Sequence, residues 1–160
     1  MSENALLEML RCVQFLDGIA DEHLERLAEM SRIVEFAEGN LIFREGDPAD
    51  DIFLIVKGNV SLEICAPGIG CRRIFTAGEG DLLGLSPLLD NVMLTATART
   101  MAPTQAIVIN SGQILTMCEH EPRFGYVFMR RAASALAKRL NATRVQLLDV
   151  FGDQMPAVSE

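Results

Sequence analysis

Apolar positions along this chain change period twice. From Ala5 to Val13 and from Glu22 to Arg32, residues Leu6, Leu10, Leu24, Leu27, Ala28 and Met30 recur at spacings close to three and four, which predicts two short amphipathic helices. Asp21 stands where an N-cap for the second is expected. Phe15, Leu16 and Ile19, set around Gly18, are apolar anchors between the two. The segment is expected to pack on a larger body as a lid, not as part of its core.

From Ile33 to Ile109 the texture becomes short β-branched and aromatic runs, as in a sandwich or barrel. Examples are Asn40 to Phe43, Asp51 to Val56, Val60 to Ile64, Arg73 to Phe75, Ala96 to Arg99 and Gln105 to Ile109. Turn residues separate them at Glu45-Gly46-Asp47-Pro48, Lys57-Gly58-Asn59, Pro67-Gly68-Ile69-Gly70 and Gly78-Glu79-Gly80-Asp81. About eight strands fit, the number of a double-sheet jelly roll.

After Pro122 the helical period returns. Met129, Ala133, Leu136, Leu140, Thr143, Leu147 and Val150 step by alternating four and three, a heptad seam about three heptads long. Such a stripe can be the inner face of a helix lying on its own sheet. Its length, with no later element to cover it, favours pairing with a second copy. The helix is expected to stop near Val150-Phe151-Gly152, with Gly152 in the left-handed position. Too few residues follow for a helix-turn-helix unit.

Composition narrows the class. A chain of 160 residues, 49% hydrophobic and 22% charged, suits one soluble globular domain. The formal net charge of -8 opposes broad contact with a phosphate backbone, so direct DNA binding is not expected. Acidic residues gather early (Glu22, Glu25, Glu29, Glu35, Glu38, Glu45, Asp47, Asp50) and basic ones late (Arg123, Arg130, Arg131, Lys138, Arg139, Arg144). A solvated acidic face and a charge-matched contact between the two ends follow. The opening Met1 to Ala5 lacks a secretory pattern, and no apolar run nears the roughly 20 residues of a membrane helix. A cytoplasmic location without membrane contact is the expectation.

Candidate chemistry is sparse. Cys12, Cys65, Cys71 and Cys118 form no CxxC pair and are expected to be reduced, small apolar residues. His23 and His120 are expected at the surface, and no HxxxH, HExxH or CxxC spacing offers a metal site. No cofactor is expected. There is no GxSxG and no P-loop, and the Glu119 and Glu121 carboxylates are expected to be solvated, so no catalysis is expected.

The run from Gly39 to Val60, with Phe43, Gly46-Asp47, Phe53 and Gly58 at fixed offsets, closely resembles the cyclic-nucleotide-binding domain family. With the flanking helices the resemblance covers nearly the whole chain. It implies a mostly β fold with flanking α: a double-stranded β-helix, or jelly roll, with N-terminal helices and a long C-terminal dimerisation helix. Phe43, Ile52, Leu54 and Val56 are expected to fill the space between the sheets. The implied segments are residues 1–32 as the N-terminal helical part, 33–121 as the β-roll, 122–152 as the dimerisation helix and 153–160 as a tail.

Family membership further implies a phosphate-binding cassette, in which a glutamate holds the ribose hydroxyl and an arginine pairs with the cyclic phosphate. Gly80-Asp81, Gly84, Leu88-Leu89 and Thr95-Ala96-Thr97 match that frame. The glutamate position falls on Leu85 and the arginine position on Leu94. Each lost charge-assisted contact removes about 1.5 to 3 kcal/mol, so ordinary cyclic AMP binding is not expected. Arg99, five positions on, should face the opposite side of its strand.

Three uses of the altered site stay open. Ser86 followed by Pro87 reads as an N-cap with proline in the first helical position, and the Leu88 amide with its neighbours could hold an anion. An apolar pocket lined by Leu85, Leu94 and Met93 or Leu83 could hold an uncharged or aromatic ligand. Those leucines could also simply fill the core. Thr143 matches a position where some family members contact the base, although its hydroxyl can bond back to the carbonyl four residues earlier.

The candidate ligand residues are therefore Leu83, Gly84, Leu85, Ser86, Leu94, Thr95 and Thr143. The candidate dimer interface is Met129, Ala133, Leu136, Leu140, Leu147 and Val150. The function expected is a stand-alone, homodimeric regulatory or sensor module, with a small-molecule ligand and a protein partner as yet unidentified. The alternatives are a ligand-free interaction scaffold, or residual cyclic-nucleotide binding through backbone amides.

Overall fold

The structure is a computed structural model, and it describes residues 3–89 and 93–151. The expected helix stop at Gly152 and the 153–160 tail lie outside the described residues. Helix α1 (Glu3–Cys12), a 3-10 turn (Gln14–Leu16) and α2 (Asp21–Glu29) precede eight strands. These are β1 (Ser31–Phe36), β2 (Leu41–Phe43), β3 (Asp51–Lys57), β4 (Val60–Ala66), β5 (Gly70–Ala77), β6 (Leu82–Leu83), β7 (Thr97–Thr100) and β8 (Thr104–Asn110). Helices α3 (Ser111–His120) and α4 (Pro122–Phe151) follow. The strands form two four-stranded antiparallel sheets, ordered β1-β8-β3-β6 and β2-β7-β4-β5. This is the jelly roll expected from the strand count and turns.

Burial is distributed differently from the expectation. Strand β3 reads Ile52-Phe53-Leu54-Ile55-Val56, apolar on both faces, and alternation sends its side chains two ways. Ile55 joins Val60, Leu62, Leu83, Ala98 and Ala106 between the sheets, with Phe43 and Phe53 packed against them. Ile52 and Leu54 face away from that space into a larger core, and Val56 packs on it as well. Of the four residues expected between the sheets, only Phe43 is there.

The larger core is built by the helices. Leu6, Leu10, Phe15, Leu16, Leu24 and Leu27 are buried in it with Ile107, Ile109, Phe124 and Phe128. The N-terminal segment is therefore core, not lid. Phe128 stacks edge-on against Phe15 at 5.4 Å, and Arg131 donates to the Asp17 carbonyl at 2.8 Å, fixing α4 on the N-terminal turn.

Local sequence explains the helix ends, with one correction. Ala20, not Asp21, is the N-cap of α2, and it makes no side-chain cap bond; Asp21 sits in the first turn, where its charge still suits the helix dipole. Helix α3 is not among the expected elements; Asn110 caps it by accepting from the Gln113 amide at 3.1 Å. Pro122 then opens α4, its fixed φ being suited to a first helical position. The two helices meet closely at Gly125, where a Cβ would lie 2.9 Å from the Cys118 carbonyl oxygen.

Three further expectations are overturned. Cys65 and Cys71 form a disulfide, because the Pro67–Gly70 turn places them directly opposite in the β4–β5 register. Cys12 and Cys118 are free thiols, and burial, helped by Glu119, pushes the Cys118 thiol up from its ordinary value. His23 is buried rather than superficial: its ring packs edge-on against Phe124, and Nε2 lies 3.7 Å from a Glu121 carboxylate oxygen. His120 is exposed as expected. The early acidic residues are exposed, but among the described residues none of them pairs with the late basic group.

Candidate functional site

The cassette segment is positioned by backbone geometry. Strand β6 pairs with β3 through Leu82 and Leu83, and the chain then turns at Gly84 with φ of 79°. A Cβ there would meet the Asp51 carbonyl oxygen at 2.8 Å, so glycine is required both for its dihedral and for the close crossing over β3. Leu85 follows, then a 3-10 turn over Ser86–Leu89.

On the far side of the site, Leu94 is held by two backbone bonds. Its amide donates to the Asp47 carbonyl at 2.9 Å, and its carbonyl accepts from the Gly46 amide at 2.8 Å. The Thr97 hydroxyl accepts from the Glu45 amide at 3.0 Å. The Gly46-Asp47 turn and the Thr95-Ala96-Thr97 run, both singled out in the sequence, thus support each other.

Between these two segments lies a cavity of about 180 Å³. Leu62, Leu85 and Leu94 are buried on its wall beside the partly buried Phe43 and Ile74, and Gly84, Ser86 and Thr95 also line it. Helix α4 supplies the roof through Leu136 and Arg139. Of the four residues expected to line an apolar pocket, Leu85 and Leu94 are on this wall and Leu83 and Met93 are not. A broader groove of about 580 Å³, bordered by Met30, Met117 and His120, involves none of the cassette residues.

Several candidates fall elsewhere. Leu83 is buried between the sheets and is not on the cavity wall. Thr143 is exposed, and its hydroxyl donates to the Arg139 carbonyl at 3.0 Å; it makes the local back-bond and does not reach the cavity. Met93 is exposed and bridges Pro48. Arg99 faces away and pairs with Glu63 at 3.3 Å. Ser86 is the first residue of the 3-10 turn rather than its cap. The Leu88 amide donates to the Leu85 carbonyl at 3.0 Å, so it is not available to an anion.

Arg139 is the residue that sequence reading missed. The sequence shows it only as one of the late basic side chains, yet it lines the cassette cavity and also a neighbouring cleft with Asp81 and Lys138. Its guanidinium carbon stands 5.5 Å from the Phe75 ring centre. Burial lowers its pKa, and nearby Asp81 partly opposes that. The available signal was position: Arg139 lies three residues after Leu136, on the same helix face.

The candidate interface residues divide along α4. Leu136 packs against the protein's own core. Leu140, Leu147 and Val150 are 61%, 56% and 69% exposed. Met129 is half-buried and Ala133 exposed.

The family model for the cyclic nucleotide-binding domain matches residues 33–121, just over half of the chain. The chain is 24% identical over 149 residues to a CRP-like cAMP-activated global transcriptional regulator of Mycobacterium tuberculosis; the match takes in 93% of this chain and 65% of that protein's length. Among solved structures, a Geobacter metallireducens protein described as cyclic nucleotide-binding superposes with a TM-score of 0.73 at 29% identity, covering 83% of this chain and 96% of that one. A cyclic nucleotide-binding domain from Methylobacillus flagellatus gives a TM-score of 0.77 at 19% identity, covering 98% and 86%.

Proposed function

The chain belongs to the cyclic nucleotide-binding domain family, and from that premise we propose that it is a non-catalytic regulatory module whose roll senses a ligand other than a cyclic nucleotide. Its output is α4, through which two copies pair. One observation carries this reading. A single helix roofs the cassette cavity with Leu136 and Arg139 and, from the next residue on, presents Leu140, Leu147 and Val150 to solvent. A ligand that moves the roof therefore moves the pairing surface.

The cassette supports the first half of the reading. Leu85 and Leu94 place apolar side chains where the family resemblance puts the ribose-binding glutamate and the phosphate-binding arginine. The second half follows from the cost of leaving large aliphatic side chains in water, about 1.5 to 3 kcal/mol each. Sedimentation velocity at micromolar concentration is expected to give a dimer, and a monomer would remove the structural basis of the output.

A second reading, a ligand-free dimeric scaffold for a protein partner, is favoured by the cavity itself. At about 180 Å³ it is smaller than the roughly 300 to 1,000 Å³ usual for ligand sites. Residual cyclic-nucleotide binding through backbone amides loses support from the Leu88 amide, which is already bonded. We place the module away from membranes; no helix among the described residues is long and apolar enough to cross one. The Cys65–Cys71 bridge adds a condition to the expected cytoplasmic location, since a reducing compartment would keep it open.

A further inference from the structure

We infer that the cassette cavity takes a small aromatic anion, a single ring bearing a carboxylate or a comparable acidic group, with the ring against Leu85 and Leu94 and the anion against Arg139 of α4. This rests on reading the roll as a ligand site and goes beyond it by naming the ligand class. Size is the first argument. An apolar cavity of about 150 Å³ accepts a benzene ring, and this one measures about 180 Å³, enough for one ring with a small substituent. A whole nucleotide would require the roof to lift.

Wall chemistry is the second argument. Phe43, Leu62, Ile74, Leu85 and Leu94 give an apolar wall, and Arg139 is the cationic residue that lines it. Such a wall accepts a ring through burial of apolar surface and offers an excluded charge one place to rest.

The third argument is charge balance. Asp81 is the acidic group nearest to Arg139 in effect, but its carboxylate is engaged by Lys138 at 3.7 Å and by the Gly78 amide at 2.9 Å. Among the described residues no carboxylate lies within ion-pair distance of Arg139. Arg139 is partly buried, and the face of Phe75 beside it is a weak partner for its charge. A bound anion would supply the missing charge, and it would do so from the helix instead of from the cassette strand. Because α4 also carries the exposed stripe, this ligand would pull on the pairing surface directly.

The test titrates the full chain with benzoate and with its neutral counterpart benzamide, followed by calorimetry. Saturable benzoate binding is expected, with benzamide weaker by about tenfold or more. Arg139→Gln should abolish that preference, and Arg139→Lys should keep part of it. Leu94→Phe, which fills the cavity and retains Arg139, should remove benzoate binding, so the proposal stays testable if Arg139→Gln fails to fold. Absence of benzoate binding, equal affinity for both probes, or an unchanged preference in Arg139→Gln would each overturn the assignment. A parallel titration with cyclic AMP separates the two levels: silence from both ligands sinks only the ligand class, whereas cyclic AMP binding sinks the sensor reading beneath it.

Discussion

Leu140→Glu combined with Leu147→Glu is expected to convert the protein from dimer to monomer. Both leucines are more than half exposed on α4, seven residues apart and so nearly in line along the helix. In a symmetric pair each substitution acts twice, removing four leucine burials worth about 1.5 to 3 kcal/mol each. The resulting loss of about 6 to 12 kcal/mol corresponds to more than about 10⁴ in dissociation constant, before any repulsion between the new carboxylates. Sedimentation equilibrium reads this directly. Val145→Glu is the matched control, because Val145 is also half exposed but lies on another face of the helix. Loss of the dimer in the control alone would place the interface elsewhere.

The second large effect is a gain. Leu85→Glu with Leu94→Arg is expected to confer cyclic AMP binding, because the frame around both positions is already built: the Gly84 turn, the two backbone bonds of Leu94 and the Thr97 bond to Glu45. Two restored charge-assisted contacts contribute about 3 to 6 kcal/mol together, or roughly two to four decades in affinity. Against this stands the displacement of Leu136 and Arg139 from the roof. Calorimetry on the double variant and on each single one separates the terms, and the single variants should gain much less than the pair. A double variant as silent as the parent would show that the roof, not the loss of the two charges, excludes the nucleotide.

How far the sequence carries depends on whether a feature is local. Six strands of the roll, all but β1 and the two-residue β6, were legible because β-branched runs and turn glycines set them by short-range rules, and the cassette frame because Gly84 answers a close backbone crossing. Strand β3 shows the limit: five consecutive apolar residues fit either face, so alternation alone did not say that Ile52 and Leu54 meet helices while Ile55 meets the other sheet. Leu6, Leu10 and Leu27 announced amphipathic helices without naming what they cover. The Cys65–Cys71 bridge depended on hairpin register, not on a CxxC motif. The sequence puts His23 beside Glu22 on a helix expected at the surface, and only packing against Phe124, about a hundred residues away in the chain, buries it.

In the site, legibility split in the same way. Leu85 and Leu94 were visible as departures from a known pattern at known offsets. Arg139 was not, because its place on the cavity depends on how α4 crosses β5, a contact that includes a bond from the Gln146 side-chain Nε2 to the Arg73 carbonyl at 3.2 Å. Thr143 fits the family position in sequence and fails in space: its hydroxyl is occupied one helical turn back.

On the proposed function, this roll keeps the family's frame without its nucleotide chemistry. Amide NMR of the unmodified chain during titration with cyclic AMP tests it most directly. At about 1 mM ligand, where even a binding free energy of only about -4 kcal/mol gives half occupancy, the signals of Gly84, Leu85, Ser86, Leu94 and Thr95 are expected to stay in place. Saturable shifts of those signals at micromolar cyclic AMP would contradict the account.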